Sequence, residues 1–306
     1  MTGGSRGAER ADTREQVRPS VTHAADVLPS ADGENFPVAL RLIPAKYRQH
    51  LFALYCFSRL TDDIGDQATE AAQATKDDTS TLRLRLLDEL EADIDRIYAG
   101  DAPLTPALRP MAATVSQCGI PDQPLRALIQ ANRQDQLVKR YPTYHDLEDY
   151  CTLSANPIGQ VVLYIFSSAT PERIELSDRI CTALQLAEHW QDVAEDLGND
   201  RIYLPVEDLE RFACTEQDLA QPTAGANVRQ LLSFEVTRAR DLLSSGAPLV
   251  GTLHGAARLA VAGYVAGGRA ALTAIEQHDF DVLKTTPKPR KQTVATNVVK
   301  AYLRGR

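Results

Sequence analysis

The chain alternates long segments of periodic apolar residues with short polar breaks, and the period is helical. Between residues 37 and 66, for example, Leu51, Leu54, Tyr55 and Phe57 follow the spacing of one helix face. Alternating runs of β-branched residues, which would indicate strands, are nearly absent. The pattern therefore predicts an all-α protein.

Breaks rich in Gly, Pro and polar residues divide the chain into about ten such segments. Gly100 ends one of them in the position of a C-cap, and a loop through RIYLPVEDL follows another. The helices predicted after the first are 81–98, 106–118, 124–138, 144–166 with an interruption at ANPIG, 172–196, 226–245, 249–277 and a short one after the basic loop PKPRK at 287–291. No internal repeat or Gly/Ser linker divides residues 35–305. We therefore expect a disordered tail over residues 1–20 and one all-α domain over 21–306.

Composition narrows the classes of function. The 306 residues carry a net charge of −8, which argues against nucleic acid as the main partner because phosphate backbones bind basic surfaces. The five cysteines are scattered, odd in number and form no CxxC pair. This usage argues against a disulfide framework or a zinc site and favours a reducing cytosol.

Two segments bear on membrane association. The N-terminal MTGGSRGAERADTREQVRPS is polar and charged, without the apolar core of a signal peptide. The most apolar stretch, residues 256–275, contains Arg258 and Arg269 and reads as a buried amphipathic helix rather than a membrane span. The sequence thus predicts a soluble, cytoplasmic protein.

Carboxylates are concentrated in the stretch FSRLTDDIGDQ at residues 57–67. Tyr55, Arg59, Asp62 and Asp66 are spaced four, three and four residues apart, so they share one helix face. Like charges one turn apart destabilise a helix, so the acids either lie on a solvated surface or surround a cation. Spacing alone leaves both readings open.

A second acidic pair occurs in QLAEHWQDVAEDLGND at residues 185–200. Asp192 and Asp196 are again four residues apart, and Gln185, Glu188 and His189 precede them on a similar face. Both pairs have aromatic and apolar neighbours, unlike the pairs in the charged segment 89–95, which read as solvated surface. Buried carboxylates require cations. Arg59 could neutralise one acid, whereas two facing pairs suit Mg²⁺ shared with a substrate diphosphate.

Three motifs in fixed order resemble the squalene/phytoene synthase family, whose members are all-α isoprenoid enzymes that couple or rearrange prenyl diphosphates with Mg²⁺. The first is an aromatic–x3–Arg–x2–Asp–Asp–x2–Asp string, matched by YCFSRLTDDIGD at 55–66. The second is YCTLSANPIG at 150–159. The third, at 185–205, is Gln–x6–Asp–Val–x2–Asp followed by Arg–x–Tyr–x–Pro. The resemblance extends from about residue 34 to residue 284 and implies a terpenoid-synthase helical bundle with a central active-site cavity.

Finer details resemble one branch of this family, the bacterial hydroxysqualene synthases found with hopanoid biosynthesis. They are ENFPVALRLIP at 34–44, SANPIG, and Gln191 where the coupling enzymes usually have arginine. Members of this branch ionise preformed presqualene diphosphate, rearrange the cation and quench it with water. Glu188 replaces the usual asparagine, and His189 is polar where the branch tends to be aromatic. The added glutamate would alter metal number or affinity.

The resemblance also implies site residues. Tyr55, Arg59 and Tyr150 are the implied catalytic residues. The implied substrate-binding residues are Arg59, Ser154, Asn156, Gln185, Arg201, Tyr203 and Tyr264. The implied Mg²⁺ ligands are Asp62, Asp63, Asp66, Asp192, Asp196 and Glu188.

Each of these roles has a structural alternative. Asp63 is offset from the acidic face and either binds metal or pairs locally, and Arg59 and Arg201 either bind diphosphate or form salt bridges. Pro157 bends the chain, which either opens a pocket wall or merely adjusts the packing. For each tyrosine, ordinary core packing competes with contact to a carbocation.

The resemblance implies Mg²⁺-dependent conversion of presqualene diphosphate to hydroxysqualene, a carbon–oxygen lyase reaction. Head-to-head coupling of two prenyl diphosphates is the alternative within the family, and a catalytically silent lipid-binding or assembly protein is the alternative outside it. Because substrate and product are lipids, transient contact with the inner face of the membrane and partner enzymes of the squalene route are expected. No nucleic-acid partner is expected.

Overall fold

The computed structural model describes residues 43–67 and 79–305, and these residues fold into α-helices joined by short loops. The predicted tail over residues 1–20 lies outside the described residues. In chain order the helices are α1 Ala45–Gln67, α2 Thr79–Ala99, α3 Arg109–Cys118, α4 Gln123–Asp135, α5 Tyr144–Ser154, α6 Asn156–Ile165, α7 Pro171–Gln191, α8 Val193–Gly198, α9 Val206–Arg211, α10 Glu216–Leu219, α11 Ala226–Gly246, α12 Leu249–Thr252, α13 Gly255–Gln277 and α14 Lys291–Arg304. The all-α prediction is confirmed.

The helix boundaries confirm one sequence prediction and correct two others. The segment 144–166 is two helices separated at Ala155, within the predicted interruption ANPIG, although the chain breaks before Pro157 rather than bending at the proline within one helix. The segment 172–196 is also two helices, which meet at Asp192. The predicted loop RIYLPVEDL contains the start of the short helix α9. Each break lies where a predicted site motif runs.

Helix α7 is the centre of the bundle, packed against α6, α11 and α13. Its Trp190 is fully buried. Glycines permit two close approaches to this helix: a Cβ on Gly246 of α11 would lie 2.7 Å from the Leu176 carbonyl oxygen, and one on Gly159 of α6 would lie 2.4 Å from Ser177 Oγ. The central helix thus presents one side to α6, where the site motifs lie.

The segment 256–275 forms most of α13, which buries apolar residues against the rest of the bundle. Among the described residues, no helix combines the length and the hydropathy needed to cross a bilayer. The reading of this segment as a buried amphipathic helix agrees with both findings.

A buried ionic cluster fixes the short helix α9 against α11. Arg238 Nη1 lies 3.0 Å from Asp208 Oδ2 and 3.4 Å from both oxygens of Glu235, which is fully buried. The guanidinium also lies over the rings of Tyr144 and Phe234. One arginine thus faces two carboxylates. Burial raises the pKa of Glu235 to about 8; the charge of Arg238 opposes this rise, and Asp208 adds to it.

The titration of Glu235 makes stability depend on pH. The carboxyl ordinarily has a pKa of 4.5, so between that pH and about 8 the folded state binds more protons than the unfolded state. The free energy of unfolding therefore falls as pH rises through this window, by on the order of a few kcal/mol. Glu235→Gln should remove this decline, which denaturant titrations from pH 5 to pH 9 would show. The exposed Glu210→Gln on α9 is the control, and an unchanged slope in the Glu235 variant would contradict the assignment.

Candidate active site

The first acidic motif lies on the last turns of α1. Asp62 is exposed, and its Oδ1 accepts a hydrogen bond of 3.4 Å from Asn132 Nδ2 on α4. Arg59 Nη2 lies 3.3 Å from Asp63 Oδ1, one turn further along the helix. This ion pair is the local alternative that the sequence left open for both residues. Asp66 belongs to the same helix, but its side chain lies outside the described residues.

Helix α4 holds the acidic end of α1 in place. Gly65 of α1 is buried against Asn132, and a Cβ added there would lie 2.3 Å from the Asn132 amide oxygen. Gln136 Nε2 donates to the Gly65 carbonyl oxygen at 3.2 Å. The glycine within the acidic motif is therefore required by a close helix contact, which positions Asp62 against α4.

The second acidic motif lies at the junction of α7 and α8. Asp192 leaves helical geometry, with φ −107° and ψ 17°, yet its carbonyl oxygen still accepts from Asp196 N at 2.8 Å. Asp192 and Asp196 are both half-buried, whereas Glu188, one turn earlier, is exposed. The two aspartates therefore remain one turn apart although the helix is interrupted between them.

Electrostatic repulsion characterises this second cluster. Burial, and then the charge of Asp192, raises the pKa of Asp196 to about 7, and Glu195 and Glu188 add to the rise while Arg201 opposes it. Burial and Glu195 likewise raise the pKa of Asp192, against the charge of Lys288. The carboxylates thus carry more negative charge than the neighbouring cations neutralise.

Cationic side chains lie beside the acids. The Arg201 backbone N–H donates to the Asp196 carbonyl oxygen at 2.8 Å, so the backbone of Arg201 lies directly beside the second cluster. Lys139 is partly buried, and burial together with the charges of Arg201 and Arg83 lowers its pKa. Arginines and lysines grouped in this way suit the oxygens of a diphosphate.

A stack of buried aromatic rings lies next to α4. Tyr150 is buried, and its hydroxyl donates to Asp135 Oδ2 of α4 at 3.0 Å. The Tyr203 ring stacks on Tyr150 at 5.8 Å and on His189 at 3.6 Å. Burial and the Arg201 charge lower the pKa of His189 to about 3, so this imidazole is neutral and packs as an aromatic ring would. Burial is the main cause of the raised pKa of Tyr150 and of Tyr203, and the charge of Asp135 is the second.

A largely apolar cavity of about 170 Å³ lies between α5, α6, α7, α12 and α13. Three predicted site residues line its polar side: Ser154, Gln185 and Glu188. Ser154 Oγ is buried without a hydrogen-bond partner in the described part of the chain, so it is open to a substrate or water. Tyr264 lines the same cavity from α13. The break after Ser154 thus forms a pocket wall.

Two predicted residues lie elsewhere. Asn156 is buried at the start of α6, where its Oδ1 accepts from Thr182 Oγ1 at 2.9 Å, a contact that joins α6 to α7. Tyr55 is half-buried on α1, and its ring lies 6.5 Å from that of Phe52. Their substrate-binding and catalytic roles stay predictions.

Sequence reasoning missed the contribution of α4 and of the basic loop. Asn132, Asp135 and Lys139 fall in or just after a helix without a family motif, so only their tertiary contacts reveal them. Lys288 lies in the basic loop PKPRK, and the preceding Pro287 carbonyl oxygen accepts a hydrogen bond from Gln191 Nε2. That charged run was the one available signal for this loop.

The donor set fits a hard divalent cation bound together with its substrate. The carboxylates of Asp192 and Asp196 repel one another, a strain that a cation would relieve. Within the described ranges, however, no three His, Cys, Asp or Glu side chains converge closely enough to hold a metal by themselves. Mg²⁺ usually takes one or two carboxylates and completes its shell with water and phosphate oxygens. The residues present match that mode.

Comparisons with known proteins identify relatives of the whole domain. The family model described as squalene/phytoene synthase matches residues 30–294. A hydroxysqualene synthase from Zymomonas mobilis is 30% identical over 72% of this chain and 71% of its own length. A phytoene synthase from Arthrospira platensis is 29% identical over 81% of this chain and 82% of its own length. The crystal structure of a squalene synthase from Alicyclobacillus acidocaldarius superposes with a TM-score of 0.74 at 38% identity, covering 83% of this chain and 92% of that one.

The cavity wall yields a stability prediction. In Gly159→Ala the new Cβ would meet Ser177 Oγ at 2.4 Å and Cys181 Sγ at 2.5 Å. Alanine gains about 1 kcal/mol of helix propensity, but forced overpacking costs about 1–3 kcal/mol, so we expect net destabilisation. The control is Gly267→Ala on α13, where nothing described lies within 4 Å, which should stabilise. Thermal unfolding measures the stability of both variants. Adding Ser177→Ala and Cys181→Ala to Gly159→Ala should restore its stability. A stabilised Gly159→Ala protein would contradict the contact.

Proposed function

The chain belongs to the squalene/phytoene synthase family, and we propose that it converts presqualene diphosphate to hydroxysqualene with release of diphosphate. Family membership supports the coarser assignment, an isoprenoid enzyme that acts on prenyl diphosphates. The finer one rests on the site. Its central support is one apolar cavity whose polar side, at Glu188, lies one helical turn before the acidic pair Asp192 and Asp196.

That arrangement suits the heterolysis of a lipid diphosphate. The apolar walls would take the hydrocarbon chains, which gain from leaving water. Arg201 and Lys139 would bind diphosphate oxygens. Asp192 and Asp196 would hold one Mg²⁺ and Asp62 of the first motif another, with water and diphosphate oxygens completing each shell. When bound, Mg²⁺ would supply Lewis acidity that stabilises the departing diphosphate.

The chain's own residues would then govern the cation. The carbon–oxygen bond breaks with its electron pair going to diphosphate, the cation rearranges, and a water oxygen adds and loses a proton. The rings of Tyr150 and Tyr203 would stabilise nearby positive charge. The unpartnered hydroxyl of Ser154, beside Gln185, offers a hydrogen bond with which to hold the incoming water.

Coupling of two prenyl diphosphates is the second candidate, favoured by the likeness to phytoene synthase. Against it stands Gln191, whose side chain binds the Pro287 carbonyl oxygen rather than presenting the arginine usual in coupling enzymes. The N-terminal string ENFPVALRLIP also favours the conversion of presqualene diphosphate over coupling, although residues 34–42 lie outside the described residues. Transient membrane contact and partner enzymes of the squalene route belong to this proposal.

Product analysis decides between the two candidates. The purified protein is incubated with Mg²⁺, without reductant, and with presqualene, farnesyl or geranylgeranyl diphosphate as the single substrate. We expect hydroxysqualene and inorganic diphosphate from presqualene diphosphate, and no consumption of farnesyl diphosphate. Consumption of farnesyl or geranylgeranyl diphosphate would establish coupling instead. If none of the substrates released diphosphate, the result would support a catalytically silent lipid-binding or assembly protein.

Removing one carboxylate from either acidic motif should stop turnover. Asp62→Asn and Asp192→Asn should each lower the turnover number by roughly a hundredfold or more, because stabilisation of the departing diphosphate weakens. Since each change also removes like-charge repulsion, the metal-free variants should melt no lower than wild type. The exposed Asp101→Asn is the control. Near-normal turnover in either variant would contradict a site built on both motifs.

Glu188 gives a prediction specific to this chain. Its carboxylate helps raise the pKa of Asp196, so it lies close enough to strengthen Mg²⁺ binding and to repel diphosphate. Glu188→Asn should weaken binding of Mg²⁺ alone and improve substrate binding at limiting Mg²⁺. Calorimetric titration of Mg²⁺, with and without an unreactive diphosphate analogue, measures both, with Glu210→Gln as control. Unchanged binding in both titrations would remove Glu188 from the metal-facing side.

A further inference from the structure

The last helix exposes an apolar face. Large apolar side chains are exposed at few described positions, and three of them are on α14: Val299 at 58%, Tyr302 at 37% and Leu303 at 74%. Their spacing of three, one and four residues places them on one side of the helix. Ala301, on another side, is fully buried. The helix is therefore anchored by one face and presents apolar residues on another.

Beside this face lies a surface groove of about 460 Å³. Pro44, Gly255 and Leu259 form one side of the groove, and Val298, Val299 and Leu303 belong to the helix that forms the other. The helix end is fixed there: Arg258 Nε donates to the Tyr302 carbonyl oxygen at 3.1 Å, and a Cβ on Gly251 would lie 2.9 Å from the Gly305 carbonyl oxygen. The apolar face and the groove thus form one fixed surface.

The charge around this surface is of one sign. Two stretches of sequence form most of it, 242–275 and 282–306, and together they contain nine Lys or Arg and no Asp or Glu. The chain as a whole carries a net charge of −8, so this region contrasts with the remainder. Within the described residues, no carboxylate lies at ion-pair distance from Lys288, Arg290, Lys291, Lys300 or Arg304.

The same region reaches the candidate active site. Pro287, just before Lys288, accepts a hydrogen bond from Gln191, the residue that precedes Asp192. The charge of Lys288 acts on Asp192. The basic stretch therefore begins beside the second acidic motif and continues along α14.

We propose that α14 and the adjoining groove are a docking surface for a lipid bilayer that contains anionic lipids. An amphipathic helix lying in the interface inserts apolar side chains while Lys and Arg meet anionic headgroups, and both elements are present on this surface. A second copy of the chain would place one basic surface against another, which charge repulsion opposes. Residues 1–42 carry five basic and six acidic side chains, so they have almost no net negative charge with which to bind the basic surface.

This assignment rests on the membrane contact included in the proposed function and deepens it by naming the surface, but it does not depend on which prenyl diphosphate is used. Binding of the full-length protein to vesicles is measured by flotation without substrate, so its failure is separable from failure of the enzymatic proposal. We expect binding to vesicles of phosphatidylcholine and phosphatidylglycerol at about 7:3, roughly tenfold tighter than to phosphatidylcholine alone. Raising salt from about 0.1 M to about 0.5 M should weaken it.

A matched pair of variants locates the surface. Val299→Ser with Leu303→Ser should lower vesicle binding roughly tenfold, because the inserted apolar area is lost. Leu104→Ser with Leu137→Ser makes the same chemical change at residues 72% and 75% exposed elsewhere, and should leave binding unchanged. Equal loss in both pairs, or no preference of the wild type for anionic vesicles, would overturn the proposal.

A spectroscopic readout separates the competing occupants. The chain has one tryptophan, the buried Trp190, so Leu303→Trp adds a reporter on α14 and Leu137→Trp a control. The added emission of Leu303→Trp should be that of an exposed indole without lipid and should shift to the blue on adding anionic vesicles. A blue-shifted, quencher-protected signal without lipid would show that residues 1–42 cover the groove. A shift that depends on protein concentration would show a second copy, and either result would overturn the proposal.

Discussion

The repulsion among half-buried carboxylates at the junction of α7 and α8 is the interaction on which the rest of the site depends. Asp192 and Asp196 lie one turn apart, with Glu188 and Glu195 nearby and Arg201 as the nearest basic side chain that acts on Asp196. A folded protein pays for such an arrangement in stability, since each charge raises the pKa of its neighbour. Under the proposed function, a divalent cation bound between the carboxylates and a diphosphate would relieve this surplus. The site is therefore prepared for a ligand rather than for its own stability.

The surrounding structure keeps this charge next to a largely apolar cavity. Tyr150, Tyr203 and the neutral His189 form one stack, and Asp135 anchors it through the Tyr150 hydroxyl. Helix α4 supplies Asp135 and also Asn132, which contacts Asp62 of the first acidic motif. One helix without a family motif thus connects the first acidic motif to the aromatic stack. His189 shows how a polar residue can replace an aromatic one, because burial holds the imidazole neutral and its ring still stacks.

Charge is also distributed on the scale of the whole molecule. The acidic groups of the site lie beside a region, formed by residues 242–275 and 282–306, that contains no Asp or Glu. Such segregation has a cost in self-repulsion that an unselected surface would not carry. The basic loop at Lys288 is where the two regions meet, and its backbone is tied to Gln191. A substrate that is both lipid and diphosphate would meet these two surfaces in turn.

The sequence by itself determined the fold class, the order of the helices and the family, because helical periodicity and three ordered motifs are local signals. It also placed Ser154, Gln185 and Glu188 in the site that the cavity brings together. Only the tertiary structure decided the break at Asp192, the pairing of Arg59 with Asp63, and the roles of Asp135, Asn132 and Lys139. These depend on close packing between helices distant in sequence, such as that of Gly65 against Asn132, which no local pattern encodes.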